Sequence, residues 1–486
     1  MGTDRTGLIV MRLRSRTPHL SIAAVSLLAL VVLVAALTCA AHAQVSPMTS
    51  TGPNDPAAAP AARAPFLTYG VDGGIGESDN VTLAPTDKIS QTIAITDVDF
   101  AAKEQSRLLD VNAAGNFSYL DYLQNAFGSQ LIGRFDGTGK VAIVPGRLTW
   151  TLQDDFGQAA IDPYTAVTPA NMEDINYFST GPDLSMRPGG VNFINLSARY
   201  SNAHYQTSPY SSNRGSGSLA VGRDLSAGAS VSLNAGFERV MFKNTAVNTD
   251  YDRTSGFGRY ELHGARTDFE GDLGATRINQ QGSSTTGSLA KVQLSRQMSA
   301  AAKLILTAGR ELTDASSSFS TLQIGAIGTG GSIGTAPAAL TSNNYTSNYA
   351  SAGWQYVRNR TTISLNARWE KDTYSGQPQL DVKRPNADFH VQRQLTRAFS
   401  TELLGHFYKT DFLHAAIASN TASSNFSDWL VGGALIWRHG RGLEIRLRYN
   451  HDSHVVSAGG SGYGENRVFV TVGYRPRSMP GLTEPQ

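Results

Sequence analysis

The sequence predicts an all-β chain: a single transmembrane, antiparallel, up-and-down β-barrel of about twenty strands between residues 66 and 475. Three observations predict it. The first is alternation with a period of two. In residues 443–450, Leu443, Ile445, Leu447 and Tyr449 alternate with Glu444, Arg446, Arg448 and Asn450, which puts one set on each face of a strand. The second is repetition. Segments of this kind recur along the chain, joined alternately by short turns and by longer polar stretches, as in outer-membrane barrels. The third is the polarity of one face. Carboxylates such as Asp268, Glu270 and Asp272 would each cost several kcal/mol, or neutralise, in a dry core. Against a water-filled lumen that cost disappears.

The chain opens with Arg12, Arg14 and Arg16, then an uncharged apolar run over residues 22–37, then Ala41-His42-Ala43. A basic region, an apolar region and a small-x-small site predict an export signal over residues 1–43, with Gln44 as the first mature residue. The competing reading is a transmembrane anchor, because the run approaches spanning length. Residues 1–43 carry four Arg and one Asp, so their removal turns the formal charge of +2 into −1. That balance argues against nucleic acid as a partner. The single cysteine, Cys39, leaves with the signal, so the mature chain has no disulfide and no thiolate site. Residues 44–65 are rich in Ala and Pro and read as a flexible periplasmic linker.

From residue 66 the strands follow in order. Residues 66–77 supply a first strand. Nine short turns are then expected, near residues 104, 146, 189, 224, 264, 297, 359, 394 and 440. Several share the pattern Arg, any residue, hydrophobic, Ser or Thr: Arg223-Asp224-Leu225-Ser226, Arg296-Gln297-Met298-Ser299 and Arg393-Gln394-Leu395-Thr396. Leu109, Val111, Ala113, Gly115 and Phe117 oppose Asp110, Asn112 and Asn116. Val231, Leu233, Ala235 and Phe237 oppose Ser232, Asn234 and Glu238. Phe269, Gly271 and Leu273 oppose the three carboxylates named above, and Leu365 and Trp369 oppose Arg368 and Glu370. Val468, Val470, Val472 and Tyr474 close the series, and residues 476–486 form a tail. The count is twenty, or eighteen if the weakest hairpin is discounted. Trp150, Trp354, Trp369, Trp429 and Trp437 all share the apolar parity, which suits an interfacial aromatic girdle.

Residues 70–85 read G-V-D-G-G-I-G-E-S-D-N-V-T-L-A-P, and residues 465–475 read E-N-R-V-F-V-T-V-G-Y-R. The first segment resembles the opening strand of the β-barrel porin family associated with exopolysaccharide and PEP-CTERM loci in Gram-negative bacteria. The second is similar to that family's last strand. The resemblance implies an outer-membrane channel or scaffold, with a role in polysaccharide export. One departure is that the chain continues past Tyr474 where such barrels end on an aromatic residue.

Candidate chemistry is sparse. There is no G-x-S-x-G elbow and no P-loop, and the histidines show no metal-ligand spacing. We therefore expect no enzyme, cofactor or metal; the alternative is a barrel enzyme acting on lipid or surface glycan. Glu444, Arg446, Arg448, Arg368, Glu370, Asp268, Glu270 and Asp272 are expected to line the pore. Tyr164, Tyr205, Tyr210, Tyr251, Tyr345 and Tyr374, in the long loops, are candidates to stack on sugars, and interfacial girdles and loop packing explain them equally well. The longest loop, residues 313–345, is rich in Ser, Gly and Thr, so disorder is its plain reading; the competing one is a partial plug, because Phe319, Leu322, Ile324, Ile327 and Ile333 give it enough apolar surface to fold back and narrow the lumen. The expected partners are outer-membrane lipid, the assembly machinery, and a polysaccharide or small-solute permeant.

Overall fold

The computed structural model describes residues 66–161, 168–317, 341–414, 425–440, 442–457 and 462–476. The expected signal and linker, most of the expected tail, Tyr164 and the five apolar residues of the longest loop lie outside them. The strands are β1 (Leu67–Ser78), β2 (Gln91–Gln105), β3 (Leu109–Tyr122), β4 (Gln130–Val144), β5 (Leu148–Ala160), β6 (Met172–Met186), β7 (Asn192–Tyr205), β8 (Ser212–Ser226), β9 (Ala229–Phe242), β10 (Tyr251–His263) and β11 (Thr267–Gln280). They continue as β12 (Ser283–Ser299), β13 (Ala302–Thr313), β14 (Tyr345–Arg358), β15 (Thr361–Tyr374), β16 (Val382–Lys383), β17 (Asn386–Gln394), β18 (Phe399–Phe412), β19 (Phe426–His439), β20 (Leu443–Val456) and β21 (Tyr463–Tyr474).

All pair antiparallel, and β1 pairs with β21, so the sheet closes on itself. Both β16 and β17 lie between β15 and β18, and together they make one stave. The barrel thus has twenty staves. The interruption has a local cause: Pro385 has no N–H to give a ladder. An even count returns both ends of the sheet to the side of the short turns.

Those turns number nine, as the sequence predicts, at residues 106–108, 145–147, 187–191, 227–228, 264–266, 300–301, 359–360, 395–398 and 440–442. At two of the three Arg-x-hydrophobic-Ser/Thr patterns, near 224 and 297, the turn starts later than the sequence suggests. In Arg223–Ser226 and Arg296–Ser299 the pattern is the strand's end, whereas in Arg393–Thr396 its last two residues open the turn. The register slips at Leu225 and at Met298, bulging the hydrophobic residue outward. The hydroxyl then caps the turn: Ser226 Oγ accepts from Gly228 N–H (3.4 Å), Ser299 Oγ from Ala301 N–H (3.2 Å) and Thr396 Oγ1 from Ala398 N–H (3.1 Å). On the opposite side the connections are longer, with one exception. Strands β11 and β12 are joined by Gln281 (φ 47°) and Gly282 (φ 79°) alone. Both central residues at positive φ make the two-residue hairpin that matches strand twist.

The two faces divide as the alternation predicts. Leu443, Leu447 and Tyr449 are exposed on the outer face, whereas Glu444, Arg446 and Arg448 point inward. The outer belt includes Leu233 at 75% and Leu273 at 71% exposure, side chains that water would not favour in such numbers and hydrocarbon does. All five tryptophans lie on this face. Trp150, Trp354 and Trp437 lie toward the short-turn ends of their strands, and Trp369 and Trp429 toward the long-loop ends. Apart from β16 and β17, the strands have 12–17 residues and exceed the roughly ten needed to cross a bilayer, so their ends project beyond it. A closed, even-staved barrel with short turns on one side and aromatic bands at both rims has the architecture of an outer-membrane barrel.

Candidate functional site

All eight residues expected to line the pore face inward, but their surroundings differ from expectation. The sequence reading set them against water. In the structure several are buried by one another: Glu444 is 1%, Arg446 5% and Arg448 3% exposed. Long side chains on staves about 5 Å apart lie along the wall and pair, instead of reaching into the bore. Arg438 Nε and Arg446 Nη2 both bond Glu444, at 2.8 and 2.7 Å. Next to them Arg475 reaches Asp99 and lies 3.6 Å from Asp72, and His390 bonds Glu402 at 2.9 Å. The result is a band of alternating charge across the seam where β1 meets β21.

Two further groups complete the inner wall. Arg259 forks onto Asp272 (2.7 Å through both nitrogens) and bonds Glu270 at 2.9 Å, while Asp268 faces His263 at 3.3 Å. Glu370 is held by Arg368 (2.7 Å) and Arg384 (2.9 Å), and Arg384 also binds the buried Asp372. Arg384 lies in the break between β16 and β17. The interruption that Pro385 forces thus delivers a guanidinium to the wall. Arg259 and Arg384 escaped the sequence reading, although the carboxylates they hold did not.

The mouth on the long-loop side is closed in more than the sequence suggests. Immediately after β13, Asp314 bonds Arg214 of β8 through two contacts (2.7 and 3.1 Å) and also binds Arg253 of β10. Glu238 of β9 supports both arginines, at 3.5 and 3.1 Å. Staves are about 5 Å apart, so β8 lies on the order of 25 Å from β13 along the wall. No carboxylate on β13 spans that. The chain must leave the wall at Asp314 and enter the bore. Ser316 follows it, with its hydroxyl 2.9 Å from Tyr205 Oη. The Asp314 carboxyl would be raised by its burial, but Arg214 and Arg253 outweigh that and hold it well below the ordinary carboxylate range. This clasp anchors the start of the loop expected to narrow the lumen. Sequence reasoning missed Arg214, Arg253 and Asp314, because nothing local relates residues a hundred positions apart.

Four of the tyrosines named as candidates to stack on sugars do not present their rings. Tyr205, Tyr251, Tyr345 and Tyr374 are buried at strand ends, and Tyr345 and Tyr374 pack on each other at 4.8 Å. They close the inner rim as small apolar clusters, with Tyr210 against Tyr205.

The two segments that carry the family resemblance meet. Ser78 Oγ donates to Glu465 Oε1 (2.5 Å), Asn466 N–H and Nδ2 donate to Asp79 (2.7 and 2.6 Å), and Asn80 Nδ2 donates to Gly464 O (3.1 Å). Gly76 lies opposite Phe469, whose ring occupies the space a side chain at Gly76 would take. Val81 tucks in beside Phe469 with Ile93, Ile95, Leu120 and Tyr122. The motif residues are thus a polar and apolar latch at the seam.

No family model and no curated protein matches this chain. Among solved structures it is similar to the FrpB iron transporter from Neisseria meningitidis (10% identity, TM-score 0.41, covering 84% of this chain and 81% of that one). It is also similar to the siderophore receptor PirA from Pseudomonas aeruginosa (9%, 0.38, 85% and 81%) and to the copper transporter OprC (9%, 0.39, 85% and 81%). At this distance the likeness has no bearing on what the chain carries.

Proposed function

We infer that the protein is an outer-membrane transport barrel of a Gram-negative bacterium, passing small hydrophilic solutes through a bore narrowed by its longest loop. The observation that carries this reading is the clasp: a charged inner wall built to hold Asp314, and with it the loop's first residues, inside the barrel. An apolar belt outside and paired charges inside suit a hydrophilic path across hydrocarbon. The wall's acids and bases are arranged in mutual ion pairs, which fits tuning of passage better than catalysis. Reconstitution in planar bilayers tests the reading. Discrete single-channel steps are expected, with an ion preference that shifts when Glu444 is changed to Gln. A sealed bilayer, or hydrolysis of phospholipid or acyl-sugar by the pure protein, refutes it. Polysaccharide as the permeant rests on the sequence resemblance alone; secretion measured after gene deletion decides that point.

A further inference from the structure

Outside the bore, the outer face carries a row of basic side chains that transport does not use. Along one rung of the sheet, Arg310 of β13 lies opposite Asn348 of β14, Asn348 opposite Lys371 of β15, Lys371 opposite Lys383 of β16, and Lys383 opposite Asp411 of β18. Lys409 stands two residues from Asp411 on the same face and holds its carboxylate at 2.9 Å. The parity is outward: Lys371 follows exposed Trp369, and Lys409 shares the face of exposed Leu403. Directly below the row, toward the middle of the strands, are Trp369, Phe407 and Trp429, the last two with ring centroids 4.3 Å apart. Aromatic rings mark the interface of a bilayer, so the basic row lies at headgroup level.

Lys371 and Lys383 are directly opposed, an arrangement that costs stability unless an anion sits between them. Among the described residues neither takes part in an ion pair, and the one carboxylate on the rung is engaged by Lys409. The rim elsewhere is different. Across β1 to β6 its charges are Glu77, Asp121 and Asp174, each satisfied by a neutral donor: Thr92 (2.5 Å), Ser129 (2.7 Å) and Gln158 (2.8 Å). The sector from β13 to β18 instead sets two lysines directly opposite each other above a stretch of aromatic belt; Arg277 of β11 is a further outward-facing base at this rim, bonded to Asn279 Oδ1 at 3.1 Å.

We propose that Arg310, Lys371, Lys383 and Lys409 form a binding site for the phosphate of a phosphorylated lipid in the leaflet on the long-loop side. The lipid's chains lie on the belt beneath Trp369 and Phe407, and its phosphate bridges Lys371 and Lys383 while Arg310 closes one side. This rests on the membrane reading proposed above.

The test uses the full chain in phosphatidylcholine nanodiscs, with native mass spectrometry reporting retention of bis-phosphorylated lipid A or of the same lipid without its phosphates. Wild type is expected to retain the phosphorylated form selectively. Lys371→Gln with Lys383→Gln should weaken retention about thirtyfold, on the scale of two cationic side chains at an anionic surface. Lys371→Arg with Lys383→Arg should keep it. Heat-modified gel mobility checks that each variant forms a barrel. A chain that enters the nanodisc and holds both lipids equally, or a Gln variant that retains lipid like wild type, overturns the phosphate site alone. A chain that never enters a neutral bilayer overturns the membrane reading, and this site with it.

Discussion

The clasp at Asp314 makes the sharpest prediction. In Asp314→Asn the shape stays and the charge goes. The carboxylate now takes two contacts from Arg214 and one from Arg253, together with the Ser317 hydroxyl at 2.7 Å and the Ser316 and Ser317 N–H groups at 3.1 Å. Removing one partner of a buried ion pair costs about 3–5 kcal/mol, because the arginines stay buried with only Glu238 to balance them. What remains to hold the segment is the Ser316–Tyr205 hydrogen bond and the Arg214 Nη1 bond to Ser317 Oγ (3.0 Å), each worth about 1 kcal/mol net. A loss of about 3 kcal/mol lowers the docked-to-undocked ratio on the order of a hundredfold. Single-channel conductance should therefore rise and fluctuate, and the urea midpoint of the barrel should fall, since Arg214 and Arg253 lose a partner although no stave pairing is touched. The acid dependence has a fixed sign. The folded carboxyl titrates well below its ordinary range, so the clasp is at full strength above a pH of about 4 and is lost only as pH falls through the depressed value. Wild-type conductance should be flat from neutrality down to about pH 4 and rise in stronger acid. Equal conductance in Asp314→Asn and wild type would refute the claim that this contact narrows the bore.

Other expectations follow from the wall and the seam. Ile445→Arg, on the lipid face, should cost about 2–4 kcal/mol in detergent unfolding. Arg446→Ser should also destabilise, because it leaves Glu444 buried with Arg438 alone, and Glu444→Gln added to it should restore part of the loss; no restoration would mean Glu444 is hydrated. Asn80→Ala removes bonds to Ala84 O (2.8 Å), Gly464 O (3.1 Å) and Ala84 N–H (3.0 Å), and should lower stability by about 2 kcal/mol, read from the urea midpoint. Gly282→Val, at φ +79°, should cost about 1–2 kcal/mol by the same measurement.

Much of the barrel was legible because its signals are local. Parity alone assigned Trp150, Trp354, Trp369, Trp429 and Trp437 to the outer face, and polarity alone placed the nine turns. Bulges at Leu225 and Met298 moved turn starts, since the serine that ends each strand caps the N–H two residues on in a way that alternation does not encode. The wall was half legible. Asp268, Glu270 and Asp272 announce an inward face by period, but which cation holds them depends on the neighbouring stave, and Arg259 is fixed only by the register of β10 on β11. The clasp was illegible for the same reason on a larger scale. The latch was visible as two segments resembling one family, without any sign that they touch.

That latch joins residues 387 positions apart. While the chain is being made, β1 has its partner β2 early, but its other edge must stay open until β21 exists. An open edge invites pairing with any extended strand nearby. Closing such a large loop is also entropically slow, and it offers no reward until the end. The side chains at the seam make the late step selective. A slip of one residue would carry Val468, Val470 and Val472 into the bore and set Glu465 and Asn466 beside the wrong partners. Closure in register is therefore the arrangement in which Ser78, Asp79 and Asn80 all find their partners on β21. A foreign strand added to β1 would cost Asp79 its bonds from Asn466 and Asn80 its bond to Gly464 O, so the same few residues that finish the barrel also discourage it from finishing on another chain.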